Sequence, residues 1–298
     1  MEKKKVLIAG GGGHLGSVVV KVAVQKGWEV RALDRNVDRI KGMENQGVEM
    51  VIADVIDKGS LRPHMKGIAA VISAIGLWRE SQEYTFDSVD RQGNINLFEV
   101  TKDEGIKKIV YVSLLNTEKA KKAKVMLAKR AVEKWLEESN LDYTVFRPSG
   151  LFHDFVEVFR PQILKGMVRG LGDGSLKMQP LSPDDLAFCM VGSLENPKAS
   201  RKIFEIGGPE VFTYDQAIKM VASYLGKEGF KISYTSFGVA KAMAYIFNWI
   251  KPGSFLQPDW IELLTFPSVA DPKPIKETFG IELKGIKGYL EEHLKGKG

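Results

Sequence analysis

The sequence predicts an α/β fold: a doubly wound parallel sheet followed by a smaller, mainly helical region. Three observations carry that prediction. Short apolar runs alternate with helical periodicities from Lys5 to Pro148, the rhythm of parallel strands joined by right-handed helical crossovers. The first run, Val6 to Ala9, opens directly into Gly10-Gly11-Gly12-Gly13-His14-Leu15-Gly16. A second strand, Glu29 to Asp34, then ends in a carboxylate followed by Arg35.

Taken in order, Val6 to Ala9 is bounded by charge and by glycine and reads as a strand buried on both faces. Gly10 lets the chain leave it through a tight turn. Gly13 lets backbone N–H groups approach a pyrophosphate, and Gly16 lets the next helix pack closely on the strand. Leu15, Val18, Val19, Val22 and Ala23 recur at helical spacing and stop at Gly27. The start of that helix offers N–H donors and a positive dipole end to an anion. The spacing Gly10-x-x-Gly13-x-x-Gly16 differs by one residue from G-x-G-x-x-G, and strand, helix and Asp34 supply the context of a dinucleotide-binding turn.

The pattern then repeats. Arg35 to Gln46 is a short helical stretch, Val48 to Ile52 a third strand, and Lys58 to Met65 a short helix or turn. Ala69 to Ser73 is a fourth strand, ending in Ala74-Ile75-Gly76. After a polar loop, Leu77 to Thr85, comes a long helix from Phe86 to Asp103 with Val89, Ile95, Leu97, Phe98 and Val100 facing inward. Ile109 to Ser113 is a fifth strand, Lys119 to Ser139 a second long helix, and Tyr143 to Phe146 a sixth strand leading to Arg147-Pro148. Ligands of such a sheet lie outside the carboxyl ends of its strands. Residues 1–150 thus read as the nucleotide-binding domain, and 151–298 as a variable substrate or lid region from which a strand at Ile203 to Ile206 rejoins the core.

Within that second region Phe155 to Lys165 reads as a helix and Gly166 to Ser175 as a glycine-rich loop. Ser182 caps a helix opened by Pro183, and Thr213-Tyr214-Asp215-Gln216 matches a capping box. Phe237 to Ile250 is apolar around most of a helix's circumference, with Lys241 and Asn248 its strongly polar residues, both on one side. It is too short to span a bilayer. Core packing or the lid of an apolar pocket is the first reading; a dimer contact or a shallow membrane-surface contact is the other.

Composition bounds the function classes. Hydrophobic residues make up 44% and charged residues 27% of 298, an ordinary globular balance. A single cysteine, Cys189, excludes an internal disulfide framework or a cysteine metal cluster. No set of His, Asp and Glu has metal-ligand spacing, so no metal is expected. Met1 to Lys5 runs straight into the first strand, which argues against a signal peptide, and no apolar run reaches the length of a transmembrane span. The expected location is cytoplasmic. The net charge of +6 comes from lysine beside abundant glutamate; without a nucleic-acid module it reads as a solvated surface. Lys119, Lys121, Lys122 and Lys124 read as a charged loop.

A set of short motifs carries a resemblance: Ala9 to Gly16, Arg31 to Arg35, Ala53-Asp54-Val55, Ser73 to Gly76, Tyr111-Val112-Ser113, Leu141 to Thr144 with Arg147-Pro148, and Glu205 to Pro209. Together they resemble the atypical short-chain dehydrogenase/reductases, in particular the NmrA-like group and the Rossmann accessory subunit of respiratory complex I. The resemblance covers the chain to about Leu225. It implies that Gly10, Gly13, His14, Leu15 and Gly16 line a pyrophosphate. It implies that Asp34 accepts hydrogen bonds from the adenosine ribose, the NAD arrangement, while Arg35 stands where NADP-binding relatives hold the 2′-phosphate. A carboxylate repels that phosphate at close range, so NAD is favoured and NADP is the alternative. By the same likeness Asp54 and Val55 hold the adenine edge, Ala74 and Gly76 pass under the nicotinamide ribose, and Lys129 binds that ribose.

The departures matter as much. The usual chemistry of this superfamily needs a tyrosine acid four residues before the lysine. Position 125 is valine, and Ser113 is followed by Leu114 and Leu115. The Ser-Tyr-Lys mechanism is therefore not available, and Lys129, Ser113 and His153 remain as candidate catalytic groups, with His153 more readily a structural or solvent-facing residue. Two functions follow. The first is an NAD(P)-dependent oxidoreductase passing hydride to a small hydrophobic carbonyl or quinone-like substrate without a tyrosine acid. The second is a non-catalytic dinucleotide-binding redox sensor or accessory subunit. The enzyme is ranked first.

Overall fold

The alternation of strand and helix is realised as a seven-stranded sheet in the computed structural model, which describes residues 4–119, 122–227, 229–250 and 258–294. The first half runs β1 (Lys5–Ala9), α1 (His14–Gln25), β2 (Glu29–Asp34), α2 (Val37–Ile40), β3 (Glu49–Ile52), α3 (Lys58–Leu61), β4 (Ile68–Ser73), α4 (Asn94–Asp103), β5 (Lys108–Val112), α5 (Lys124–Glu138) and β6 (Asp142–Pro148). It continues with α6 (Phe152–Leu164), β7 (Met167–Leu171), β8 (Lys177–Met178), α7 (Pro183–Gly192), β9 (Lys202–Ile206), β10 (Phe212–Thr213) and α8 (Tyr214–Tyr224). The last elements are β11 (Lys231–Thr235), α9 (Phe237–Ile250), α10 (Pro258–Leu263), α11 (Lys273–Phe279) and α12 (Ile286–Leu294).

The strand order is β3-β2-β1-β4-β5-β6-β9, and β1 pairs in parallel with β2 on one side and β4 on the other. The order reverses between β1 and β4, which opens a crevice at the carboxyl ends of those two strands. This is the Rossmann arrangement. Leu7, Val71, Ile109 and Val145 from neighbouring strands are buried against Leu97 and Phe98 of α4 and Val132 and Leu136 of α5. Strands covered on both faces are mainly apolar, as in β1, where Val6 to Ala9 are all buried.

The chain divides into two units. One comprises Met1–Ser113, Lys124–Arg147 and Leu186–Phe204; the other comprises Leu114–Ala123, Pro148–Asp185 and Glu205–Gly298. The chain passes from the first unit to the second at Arg147/Pro148, Leu186–Phe204 returns to the first and Leu114–Ala123 belongs to the second. In the second unit Phe152, Phe155, Phe159, Ile218, Val221 and Leu290 build a separate core. Among the described residues no helix is long and apolar enough to cross a membrane.

Several expectations need correction. The helix beginning at Phe86 opens with a π-helical stretch, Phe86–Gly93, before α4; Thr85 and Ser88 cap it reciprocally. The wider turn brings Asp90 and Asn94 inward together with Val89. The helix expected from Lys119 begins at Lys124, and Lys121 lies outside the described residues. The glycine-rich stretch after Gly166 is not a loop but contains β7, where buried Val168 and Gly170 alternate with exposed Met167 and Arg169. It pairs in parallel with β11, a strand the sequence reading missed. Finally, α9 is not a core helix: only Ala240 and Ala244 are buried.

Candidate dinucleotide site

The site is built at the end of β1. Gly10 adopts φ +77°, a conformation that side chains disfavour, and its N–H and that of Gly11 donate to the Leu33 carbonyl at 2.8 and 3.1 Å. The turn closes with the Gly13 N–H donating to the Gly10 carbonyl at 3.0 Å. A Cβ on Gly16 would overlap that same carbonyl oxygen, so the first turn of α1 sits on the loop only because residue 16 has none. Gly13 is the N-cap of α1 and contributes no capping side chain, so no side-chain cap competes for the donors at the helix start. This close, donor-rich cradle fits a pyrophosphate. His14 is exposed and Leu15 half-buried at its rim.

Asp34 is buried, and both of its carboxylate oxygens are engaged by backbone. Oδ2 accepts from the Gly12 N–H at 3.2 Å, and Oδ1 accepts from the Asn36 N–H at 3.0 Å. Beyond it lies an open cavity of about 560 Å³ lined by Arg35, Asn36, Val37, Arg39, Ile52, Ala53, Asp54 and Tyr84. Arg35 stacks its guanidinium 3.6 Å above the Tyr84 ring. The Tyr84 hydroxyl in turn donates to Asp54 Oδ2 at 2.9 Å. Desolvation and the Asp54 carboxylate hold that phenol above its ordinary pKa, so it stays a donor. Asp54 therefore lines this cavity, while Val55 is buried against Gly93 and its carbonyl accepts from Asn96 Nδ2 at 2.9 Å.

At the opposite end of the crevice, a Cβ on Gly10 would lie 3.0 Å from the Ala74 carbonyl, which keeps the two strand ends in contact. Gly76 passes over a buried ion pair. Lys129 Nζ lies 3.3 Å from Asp90 Oδ1, 3.3 Å from the Val112 carbonyl and 3.5 Å from the Ile75 carbonyl. Asp90 Oδ2 accepts from the Leu77 N–H at 3.1 Å. Burial pushes the Asp90 carboxyl up, against the opposing pull of the Lys129 charge. Asn94 ties this pair to β4: its Oδ1 accepts from the Ser73 hydroxyl at 2.5 Å, and its Nδ2 donates to the Asp90 carbonyl at 2.9 Å.

Sequence reasoning missed Asp90 and Asn94. The signal was present, since they sit four apart on the face of the helix that carries Val89, Leu97 and Phe98 inward. Nor does the sequence reading give Glu133 a role. Glu133 is fully buried and takes a bidentate bond from Arg147, Nε to Oε1 at 2.9 Å and Nη2 to Oε2 at 2.7 Å, with Arg130 Nη1 at 3.0 Å. Burial raises its carboxyl, but the hydrogen bonds and charge of Arg147, with the hydrogen bond from Arg130, outweigh that and hold it below the ordinary carboxylate range. Ser113 is fully buried, and its hydroxyl has no hydrogen-bond partner among the described residues. Val125, in the position of the usual tyrosine, is buried in the core. His153 lies in the first turn of α6, in the second unit.

Comparison with known proteins agrees with this geometry. A family model described as NAD(P)H-binding matches residues 10–197. The photosystem II assembly factor Ycf39 of Synechocystis is 26% identical, over 97% of this chain and 90% of its own length. The mitochondrial NADH dehydrogenase [ubiquinone] 1 alpha subcomplex subunit 9 of Arabidopsis thaliana is also 26% identical, over 96% of this chain and 76% of its own. Among solved structures, the NADPH complex of the quinone oxidoreductase QOR2 from Escherichia coli superposes with a TM-score of 0.76 at 18% identity, covering 96% of this chain and 99% of that one. The triphenylmethane reductase of Citrobacter gives 0.77 at 20% identity, covering 98% and 99%. With the glycine cradle, the strand order and these matches in agreement, the chain belongs to the NAD(P)H-binding family.

Proposed function

We propose that the cradle binds a nicotinamide dinucleotide, NADP(H) in preference to NAD(H), and that the chain holds it without supplying acid–base chemistry. The observation that carries this reading is the state of the nicotinamide end. The Lys129 amine is committed to Asp90 and two carbonyls, Ser113 is fully buried, and residue 125 is a buried valine. None of the three offers a proton to a substrate. The two relatives named above, an assembly factor and a respiratory subunit, align along most of this chain and support the same reading.

The sequence argues for NAD through the repulsion between the Asp34 carboxylate and a 2′-phosphate. Arg35 and Arg39 line the cavity beside Asp34 and supply opposite charge, so the local balance moves toward a 2′-phosphate. A second reading is kept because the fold likeness extends to a quinone oxidoreductase and a dye reductase. When bound, the reduced cofactor would supply hydride, and a quinone-like hydrophobic acceptor could take it without an acid from Lys129, Ser113 or His153.

Titration with NADPH and NADH, followed by energy transfer from tryptophan to the nicotinamide, tests the binding; a quinone panel under the same conditions tests turnover. Saturable binding of NADPH tighter than NADH, with no protein-dependent oxidation, is expected. Oxidation that scales with protein and saturates with quinone would replace the holding role by the reductase. Absence of binding at millimolar nucleotide would remove both.

A further inference from the structure

The helix α9 is built inside out. Its two polar side chains face the body of its own unit: Lys241 pairs with Glu262 of α10, and Asn248 Nδ2 donates to the Ala244 carbonyl at 2.8 Å. Ala240 and Ala244 are buried beside them, with Ile261 and the half-buried Phe237. The outward side carries Val239, Tyr245, Ile246, Phe247, Trp249 and Ile250, with Ile246 56%, Ile250 67% and Trp249 85% exposed. An ordinary surface helix does the reverse, turning its apolar stripe to the core and its polar face to water.

The width of this face identifies its occupant. At about 100° per residue, Tyr245, Ile246 and Phe247 span roughly 200° of the helix circumference, and no charged side chain interrupts that arc. A single packing stripe needs only about 100°. An apolar arc covering half the helix matches a helix half immersed in a fluid. Tyr245 and Trp249 are four residues apart along one margin, the place where amphipathic rings meet headgroups. Fourteen residues of helix are about 21 Å long, too short to cross a bilayer and suited to lying in its plane. The chain's net charge of +6 favours an anionic surface over a neutral one.

We propose that α9 is an in-plane membrane anchor whose outward face enters the boundary between headgroups and acyl chains of an anionic bilayer, while its polar side holds the protein body. This is independent of what the cradle binds.

The test uses the full chain and vesicles of phosphatidylcholine with phosphatidylglycerol. The protein is expected to float with the vesicles, and Ile246→Glu/Trp249→Glu to reduce the bound fraction at least tenfold with an unchanged circular dichroism melt. Both positions are exposed, so the fold should tolerate them. A second measurement needs no charge insertion: lipids brominated near the headgroup should quench wild-type tryptophan emission, and Trp249→Phe should remove that quenching. A wild-type chain that stays with the soluble fraction overturns the proposal. So does equal flotation of the double variant, or quenching that survives Trp249→Phe. Light scattering that finds a dimer dissolved by the double variant, with no flotation, assigns the face to a second copy of the chain instead.

Discussion

Replacing Lys129 with Met probes the buried pair under Gly76 most directly. Methionine keeps the apolar stem and removes the ammonium that lies 3.3 Å from a carboxylate of zero exposure. What remains to Asp90 Oδ2 is the Leu77 N–H. Removing one partner of a buried ion pair costs about 3–5 kcal/mol, because the other charge is left uncompensated. Against a total stability of about 5–15 kcal/mol that is a large fraction. Asp90 can escape part of the cost by taking up a proton, and this gives the loss a pH signature. A carboxyl whose folded pKa lies above its unfolded value of about 3.8 contributes stability below that value and loses it as pH rises through the folded pKa. Loss of Lys129 raises the folded value further, so the deficit of the variant should be small near pH 4 and grow to its full size at neutral pH. Urea unfolding across this range, for wild type, Lys129→Met, Asp90→Asn and the double variant, measures it. Adding Asp90→Asn to the Lys129→Met variant should restore about 2 kcal/mol or more, since the stranded charge is gone. A loss under about 1 kcal/mol at neutral pH, or a loss that does not change with pH and is not relieved by Asp90→Asn, would refute the reasoning.

Three further outcomes are expected. Gly16→Ala sets a Cβ against the Gly10 carbonyl oxygen; overpacking of this kind costs about 1–3 kcal/mol, and the melting temperature and NADPH affinity should fall together. An unchanged titration would show that the loop does not form the cradle. Arg35→Gln removes a guanidinium from the adenosine cavity; a charged hydrogen bond of about 1.5–3 kcal/mol corresponds to roughly 10- to 150-fold weaker NADPH binding, with NADH little affected. Equal losses for both nucleotides in calorimetry would argue against 2′-phosphate recognition there. Glu133 has a folded pKa below its ordinary 4.5, so its contribution is present above that value and is lost as pH falls through the depressed one. Glu133→Gln should destabilise at neutral pH, by stranding Arg147, and flatten the loss of stability below about pH 4.5 in acid unfolding.

The β1–glycine turn–α1–β2 unit was legible because everything that specifies it is local. Gly10 must take a positive φ, Gly16 must lack a Cβ, and the apolar spacing of Leu15 to Ala23 needs only one covered side. The Thr213 to Gln216 capping box was legible for the same reason, its bonds running between residues three apart. The glycine-rich β7 was not legible, since its partner β11 is distant in sequence and pairing supplies the strand's hydrogen bonds. Asp34 was located correctly at the end of β2, but position does not reveal that its oxygens are taken by Gly12 and Asn36.

From sequence alone came a dinucleotide-type sheet, its glycine turn and the loss of the tyrosine acid, because residue identity and short spacing determine backbone sterics and available chemistry. Only the tertiary structure decided that Lys129 is bound to Asp90, that Glu133 is bound to Arg147, and that α9 turns its apolar side outward. A lysine, a carboxylate or a helix apolar over most of its surface is compatible with several partners. The choice among them is made by contacts between residues far apart in the chain, through the free energy of burying charge and apolar surface together.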